Sequence, residues 1–410
     1  MSKVCIISTW LPPVEKILSS GDEAHENFIK AINKLNLQIY YIFIDENKHH
    51  YKDGSSEKET RINNLKSYSN FYQIKKSDIK STKKKVEKII FDNNLSNFFI
   101  VQNCIDFIEK KKSRKIIMWG LEDNIQAREK ILYFKKNIIK KLILKVFFIY
   151  KNFADRVNVV KKLNKSDIVL QPGRNYFDKW KKYINKKTKI FLVHPSTEDY
   201  QNRVKVESGL KLDPNKKNIL LIGQPNSSLA SGNIKYLCEE ILPLLEKENL
   251  INHFHFYVIG KIHEKINNNI KYYIDKWKKY VFVTNYIDDL SSTMSNSDAV
   301  IQLTPFYPVA GSRIYGWSSL SPLLIANKKI TEAYPELINN ANCFLGSSPN
   351  EFIIYFKKVL HNDKRIDEIK RNFRKLYDLH WTQENFQKLL IDIFKDCYLN
   401  NSIKNDYSQN

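Results

Sequence analysis

Four short segments of this chain carry residue types that could do chemistry. Gly311-Ser312-Arg313 reads as a glycine turn opening a helix. Backbone N–H groups at a helix start, reinforced by the helix dipole, hold a phosphate, and the Arg313 guanidinium would add a charged fork. The plainer reading is a helix start with a surface arginine. Gly223-Gln224-Pro225-Asn226 follows an apolar run and could approach the same kind of anion through its backbone. Gly21 lies in the connection Ser8–Glu23, where a glycine permits close backbone approach to a ligand, or merely turns a strand into a helix. Trp119-Gly120-Leu121-Glu122-Asp123 ends a buried run. Glu122 or Asp123 could accept hydrogen bonds from a hydroxyl-bearing substrate, and Asp123 could equally cap a helix. Asp106 is a weaker candidate of the same kind, and His25 reads as a helix-face residue. Asp288-Asp289 precedes a helical run and reads as capping, so no metal site is expected.

The elements that must position these residues alternate. Val4–Ser8 is a short apolar run suited to a buried strand, Glu23–Leu35 is helix-like with Ala24, Phe28, Ala31 and Leu35 on one face, and Ile39–Ile44 is a second strand. Strand, helix, strand with short connections is the pattern of a parallel α/β unit. Residues 45–80 are polar and give no clear element. Val86–Phe91 is helical. Phe98–Gln102, Ile116–Trp119, Ile168–Gln171 and Ile190–Val193 complete a first half. The pattern restarts at Asn218. Ile219–Ile222 is a strand, Gly223–Gly232 a loop, and Asn233 to Glu246 a helix. The runs Phe254–Ile259, Val281–Thr284, Ala299–Gln302 and Leu323–Ala326 follow. The expected organisation is therefore α/β with two Rossmann-like domains facing across a cleft. The first spans 1–200, the second 201–380, a helix follows at 381–398, and 399–410 is a polar tail. Ligands of such sheets bind beyond the carboxyl ends of the strands.

With 410 residues, 42% hydrophobic and 27% charged, the chain has the composition of a globular protein with real cores. Its abundant Lys, Asn and Ile fit an AT-rich bacterial genome. A net charge of +23 attracts polyanions. No helix-turn-helix, zinc-finger or ribonucleoprotein signature accompanies it, so nucleic acid is not the expected partner. The five cysteines are widely spaced, odd in number and without a CxxC pair. They point to a reducing, cytoplasmic setting. The N-terminus lacks the apolar region of a signal peptide, and no stretch is long enough to span a bilayer. Lys135–Phe153 (KKNIIKKLILKVFFIYKNF) does combine an apolar face with six lysines. It suits a helix lying on an anionic membrane surface, peripheral on the inner membrane, or a core-facing helix with a lysine rim.

The order of these motifs resembles the family-4 (glycosyl transferases group 1) retaining enzymes of the GT-B fold. Asn218–Gly223, Asn233–Pro243 (NIKYLCEEILP) and Phe254–Gly260 (FHFYVIG) look like the start of that family's nucleotide-binding domain. Val281–Leu290 (VFVTNYIDDL), Ser297–Leu303 (SDAVIQL) and Gly311-Ser312-Arg313 follow in the family's order. So, in the first half, do Ser20–His25 (SGDEAH) and Ser166–Val169 (SDIV). The resemblance implies that the helix at 381–398 returns to the first domain, and that the chain is a metal-independent glycosyltransferase without a bound cofactor. It would move a sugar from a nucleotide-sugar donor onto a glycan or lipid-linked acceptor, with retention, in bacterial surface polysaccharide or glycoconjugate synthesis. Gly21, Gly223, Gln224, Gly311, Ser312, Arg313 and Ser318 would bind the donor, and Glu122 and Asp123 would serve the transfer. Three positions depart from the family pattern. Gln224 stands where relatives have an arginine, and Ala310 and Ser318 stand where many carry two glutamates eight positions apart. Ser318 could still offer the ribose a neutral hydrogen bond. These departures leave open a second reading, a non-catalytic glycan- or nucleotide-binding subunit with a degenerate donor site.

Overall fold

The structure is a computed structural model that describes residues 2–13, 20–46, 56–120, 125–135, 137–195, 198–202, 210–260, 266–285, 287, 290–305 and 312–400. It contains two parallel sheets, one of seven strands and one of six. The first is built from β1 (Lys3–Ser8), β2 (Gln38–Asp45), β3 (Asn70–Lys75), β4 (Asn97–Val101), β5 (Lys115–Trp119), β6 (Ile168–Gln171) and β7 (Lys189–Leu192), in the order β3-β2-β1-β4-β5-β6-β7. Its helices are α1 (Ser20–Lys34), α2 (Ser56–Tyr68), α3 (Ile79–Asp92), α4 (Ile125–Phe134), α5 (Ile138–Leu163) and α6 (Arg174–Lys181). The second half begins with β8 (Lys217–Ile222), α7 (Ser228–Tyr236), α8 (Leu242–Lys247), β9 (Phe254–Ile259), α9 (Asn268–Lys276), β10 (Val281–Thr284) and α10 (Leu290–Ser295). It continues with β11 (Ala299–Gln302), α11 (Ser312–Ser319), β12 (Leu324–Asn327), β13 (Phe344–Gly346), α12 (Pro349–Leu360), α13 (Ile366–Leu376) and α14 (Gln383–Phe394). Its strands run β10-β9-β8-β11-β12-β13.

Sheets covered on both faces need strands apolar on both sides, which is why the central strands read as unbroken hydrophobic runs. In β1, Val4 to Ser8 are all buried, and Ile7 pairs with Ile42 of β2 and Ile100 of β4. Each sheet has a core on either face. One core of the first sheet takes in α14, through Phe386, Leu390, Ile393 and Phe394, so the chain's last long helix packs back on the first domain. Gln387 Nε2 donates to Asn27 at 3.0 Å and Lys34 Nζ to Gln387 Oε1 at 2.8 Å, which fixes α14 along α1.

Five elements differ from the sequence reading. Residues 45–80 hold α2 and β3. They escaped because β3 is an edge strand with one buried side chain, Ile74, and α2 buries Lys58 and Arg61 beside its apolar positions. Lys58 is paired with Asp45 at 2.7 Å, and Arg61 donates to the Leu11 carbonyl at 2.9 Å. The loop after β8 is shorter than Gly223–Gly232, because Ser227 caps α7 by accepting from the Ala230 N–H. β13 is three residues long, and α5 runs ten residues beyond Phe153. All five cysteines are buried and unpaired, with their thiols pushed up by burial.

Candidate functional site

In each sheet the strand order reverses once, and a crevice opens where the two neighbouring loops part. In the second sheet that point lies between β8 and β11, paired as Ala299 with Ile219 and Val300 with Leu220. From β8 the chain passes through Gly223–Ser227 into α7, and from β11 it leads on to α11. Two helix N-termini thus flank one crevice, the arrangement that gathers unpaired N–H groups toward an anion.

The first of these loops is sharply constrained. Gly223 has φ 152°, outside the range that side chains tolerate, and its N–H donates to Ile259 O at 2.8 Å. A Cβ on Gly260, at the end of β9, would lie 2.4 Å from the Gly223 carbonyl oxygen. Gly223 and Gly260 therefore need each other, and Gly260 was not singled out from sequence because its requirement is a contact across strands. On the β11 side, a polar network closes the floor. Thr304 Oγ1 donates to Asn233 Oδ1 at 2.6 Å, and Asn233 Nδ2 donates to Gln302 Oε1 at 3.3 Å.

In the first sheet the reversal lies between β1 and β4. The chain leaving β1 is anchored from three sides. Trp10 N–H donates to Ser8 Oγ at 2.9 Å, Tyr41 Oη donates to the Trp10 carbonyl at 2.5 Å, and Arg61 holds Leu11. His25 is buried 3.3 Å from Ser8 Oγ and 3.5 Å from Tyr41 Oη, so it braces this loop from the helix face. Directly after β4, Gln102 adopts φ 48°. A non-glycine residue in the left-handed region is uncommon and tends to mark functional ground.

The two halves meet where these edges face each other. α1 and α11 touch, which places the first turn of the Gly21 helix and that of the Arg313 helix on two packed elements. His194, just beyond β7, contacts Tyr315 Oη of α11 at 3.0 Å. Burial, with His380 and Arg174 nearby, lowers the His194 pKa to about 4, so the ring is neutral at pH 7 and its 3.7 Å contact with Glu336 is not an ion pair there. Burial has the opposite effect on the Glu336 carboxyl, raising its pKa. The connecting segment docks on the second domain through Asp199, which receives Arg374 Nη1 at 3.0 Å and Nη2 at 2.6 Å. Burial works against the Asp199 charge, yet the Arg374 guanidinium holds its carboxyl below the usual range. Tyr200 lies against Gly316, where a Cβ would come within 2.5 Å of its ring.

Gly223 and Gln224 stand at the crevice, and Gly21 lies in the first turn of α1. Ser312 and Arg313 open α11, but their side chains lie outside the described residues, as do Gly311, Ala310, Glu122, Asp123 and Asp288-Asp289. Ser318 is two turns into α11 and fully buried, with its hydroxyl donating to the Tyr315 carbonyl at 2.5 Å. Asp106 forms an ion pair with Lys162 at 2.7 Å.

Comparison with solved structures decides the architecture. A glycosyltransferase from Rickettsia africae superposes over 97% of this chain and 99% of its own, with a TM-score of 0.63 and 14% identity. The chain has the GT-B fold. Anabaena Alr3699/HepE in complex with UDP matches over 95% of this chain and 98% of its own, at TM-score 0.63 and 11% identity. A putative UDP-N-acetylglucosamine 2-epimerase from Listeria monocytogenes matches at TM-score 0.56 and 10% identity, over 96% of each chain. The GT-B fold therefore hosts more than one chemistry among these neighbours, and activity has to be argued from the site. No family model matches the chain, and no curated protein matches it in sequence.

Proposed function

We propose that this protein is a glycosyltransferase that binds a nucleotide-sugar donor in the crevice beyond β8 and β11 and transfers the sugar to a glycan or lipid-linked acceptor held by the first domain. The observation that carries the proposal is the pair of helix N-termini, α7 and α11, on either side of the reversal point, with α1 packed against α11 from the other domain. That geometry suits a diphosphate. Two structural neighbours supply context: one is a glycosyltransferase, and another was solved with UDP.

In this reading the N–H groups opening α11, with Gly311, Ser312 and Arg313, hold the diphosphate, and Gly223 and Gln224 approach it through the backbone. Gly21 lets the first turn of α1 come close to the transferred sugar. Glu122 and Asp123 orient the acceptor hydroxyl. Transfer proceeds with retention. The acceptor oxygen bonds to the anomeric carbon on the face the diphosphate leaves, the carbon–phosphate-oxygen bond breaks, and the hydroxyl proton passes to the departing phosphate oxygen. No metal is required, because the N–H groups and Arg313 stabilise the leaving charge. The biological setting is bacterial surface polysaccharide or glycoconjugate synthesis.

One observation favours the second reading, a non-catalytic binding subunit. The Ser318 hydroxyl is spent inside its own helix, so it does not replace a ribose-binding carboxylate. Thermal-shift measurement against UDP, GDP, CDP, ADP and their sugar conjugates, with EDTA present, separates the outcomes. A nucleotide at a hundred times its Kd stabilises by about 2.7 kcal/mol. Stabilisation by one nucleotide in EDTA, lost in Arg313→Ala and accompanied by slow hydrolysis of the matching sugar conjugate, supports the transferase. Stabilisation without turnover toward any acceptor supports the binding subunit. Indifference to every nucleotide overturns both.

A further inference from the structure

An ordinary surface helix turns its apolar stripe inward. α5 does the reverse over its first four turns. Ile139, Leu142, Ile143, Val146, Tyr150 and Phe153 are all more than half exposed, Val146 at 70%. At 100° per residue they form one contiguous face. Phe148, Val159 and Leu163 are the buried residues and lie on the opposite side, and of these Val159 and Leu163 enter the core of the first sheet.

Length explains how such a face survives. Twenty-six residues make a helix about 39 Å long, whereas the neighbouring five-residue strand β5 spans about 17 Å. α5 ends just before β6, so its N-terminal half overhangs the carboxyl edge of the sheet, the side on which the cleft opens. α4 braces this overhang. Arg128 donates to Asn152 and pairs with Asp155. α4 also reaches the second domain, where Lys235 Nζ donates to the Tyr133 carbonyl at 2.8 Å and sits 4.1 Å over its ring. The exposed face is thus carried on a braced arm beside the cleft.

We infer that this face is a docking surface for an anionic lipid bilayer. Charge selects the occupant. Between Ile138 and Ala154 the helix carries Lys140, Lys141, Lys145 and Lys151 and no acidic residue. A second copy of the chain would bring these lysines against their equivalents on a protein of net charge +23. A bilayer with anionic headgroups takes the apolar face into its acyl boundary and the flanking ammonium groups at its phosphates. Among the described residues no helix is long and apolar enough to cross a membrane, so α5 lies in the interface rather than spanning it. This inference stands apart from the transferase reading, since vesicle binding needs no donor.

The test is co-sedimentation of the full chain with phosphatidylcholine vesicles and with vesicles containing phosphatidylglycerol. The expected result is binding to the second kind, weakened by about tenfold in Ile143→Ser/Val146→Ser. Both side chains point to solvent, so the melting temperature of the variant should match the parent. Lys140→Gln/Lys141→Gln/Lys145→Gln should lose the preference for phosphatidylglycerol. Equal sedimentation of parent and serine variant overturns the inference. So does a concentration-dependent dimer in light scattering that the serine variant abolishes while the parent ignores both vesicles.

Discussion

Asp167 and Asp298 play the same local part in the two domains, each after a serine and just before a strand, β6 and β11. Asp167 Oδ2 accepts the Ile116 N–H of β5 at 2.8 Å, and Asp298 Oδ2 accepts the Asn218 N–H of β8 at 2.7 Å. Each carboxylate therefore ties its own strand's start to the neighbouring strand. This is why a Ser-Asp pair before an apolar run is informative about fold and silent about chemistry. His194 is a residue whose role the chain order hides, because its partner Tyr315 lies 121 positions away. Its folded pKa, about 4, is below the ordinary 6.5, so the unfolded chain takes up the proton first. Stability is full above about pH 6.5 and declines as the pH falls toward 4, by about 3 kcal/mol for this group. His194→Gln can keep a hydrogen bond to Tyr315 without titrating. Its melting temperature should therefore fall less steeply than the parent's between those pH values, and parallel profiles would remove His194 as the cause. Gly223 was legible in the sequence as a turn glycine, but its partner Gly260 was not. Ser318 read as a possible ribose contact because sequence alone does not show that its hydroxyl is consumed by Tyr315.

At the scale of elements, legibility followed burial. Strands covered on both faces, such as β1, β4, β8 and β9, stand out as apolar runs and were placed within a residue or two. Elements held by polar contacts did not stand out. α2 buries a lysine and an arginine, and a pattern of hydrophobic spacing passes over both. α7 was expected to start at Asn233 because Ser227, Ser228 and Gly232 resemble a loop, whereas Ser227 is its cap. α14 shows the opposite case, a strongly amphipathic helix whose location depends on the tertiary fold. Phe386 packs 6.0 Å from Phe28 and 6.4 Å from Trp119, ring centre to ring centre, and is 1% exposed. Truncating a buried phenylalanine costs about 3–5 kcal/mol. Phe386→Ala should release α14 from α1 and lower the melting temperature of the first domain more than that of the second. Hydrogen exchange resolved by peptide checks this. Faster exchange confined to α1, β5 and α14 is the expected outcome, and uniform acceleration would mean that the two domains unfold as one unit.

At the scale of the whole molecule, two parallel α/β halves were legible in the order of apolar runs and the returning helix in the family resemblance, whereas the reversal point of each sheet was not, because chain order does not set the order of strands in space. Nor was the coupling between the halves. It rests on long-range pairs such as Asp199 with Arg374 and Tyr133 with Lys235, which no local pattern announces. Charge is the remaining global property. The chain carries 67 basic and 44 acidic residues, a field that draws in anions well before contact. A nucleotide sugar is such an anion, and its encounter with the crevice should be steered. Raising the ionic strength from about 0.01 M to about 1 M shortens the Debye length from about 30 Å to about 3 Å and removes that steering. For an active transferase, kcat/KM for the donor should then fall by about tenfold or more, while kcat at saturating donor changes little, because only the encounter is screened. Steady-state kinetics across a salt series separates the two quantities. A flat kcat/KM would show that the positive field is directed away from the cleft, with its lysines serving the outer surface and the α5 face instead.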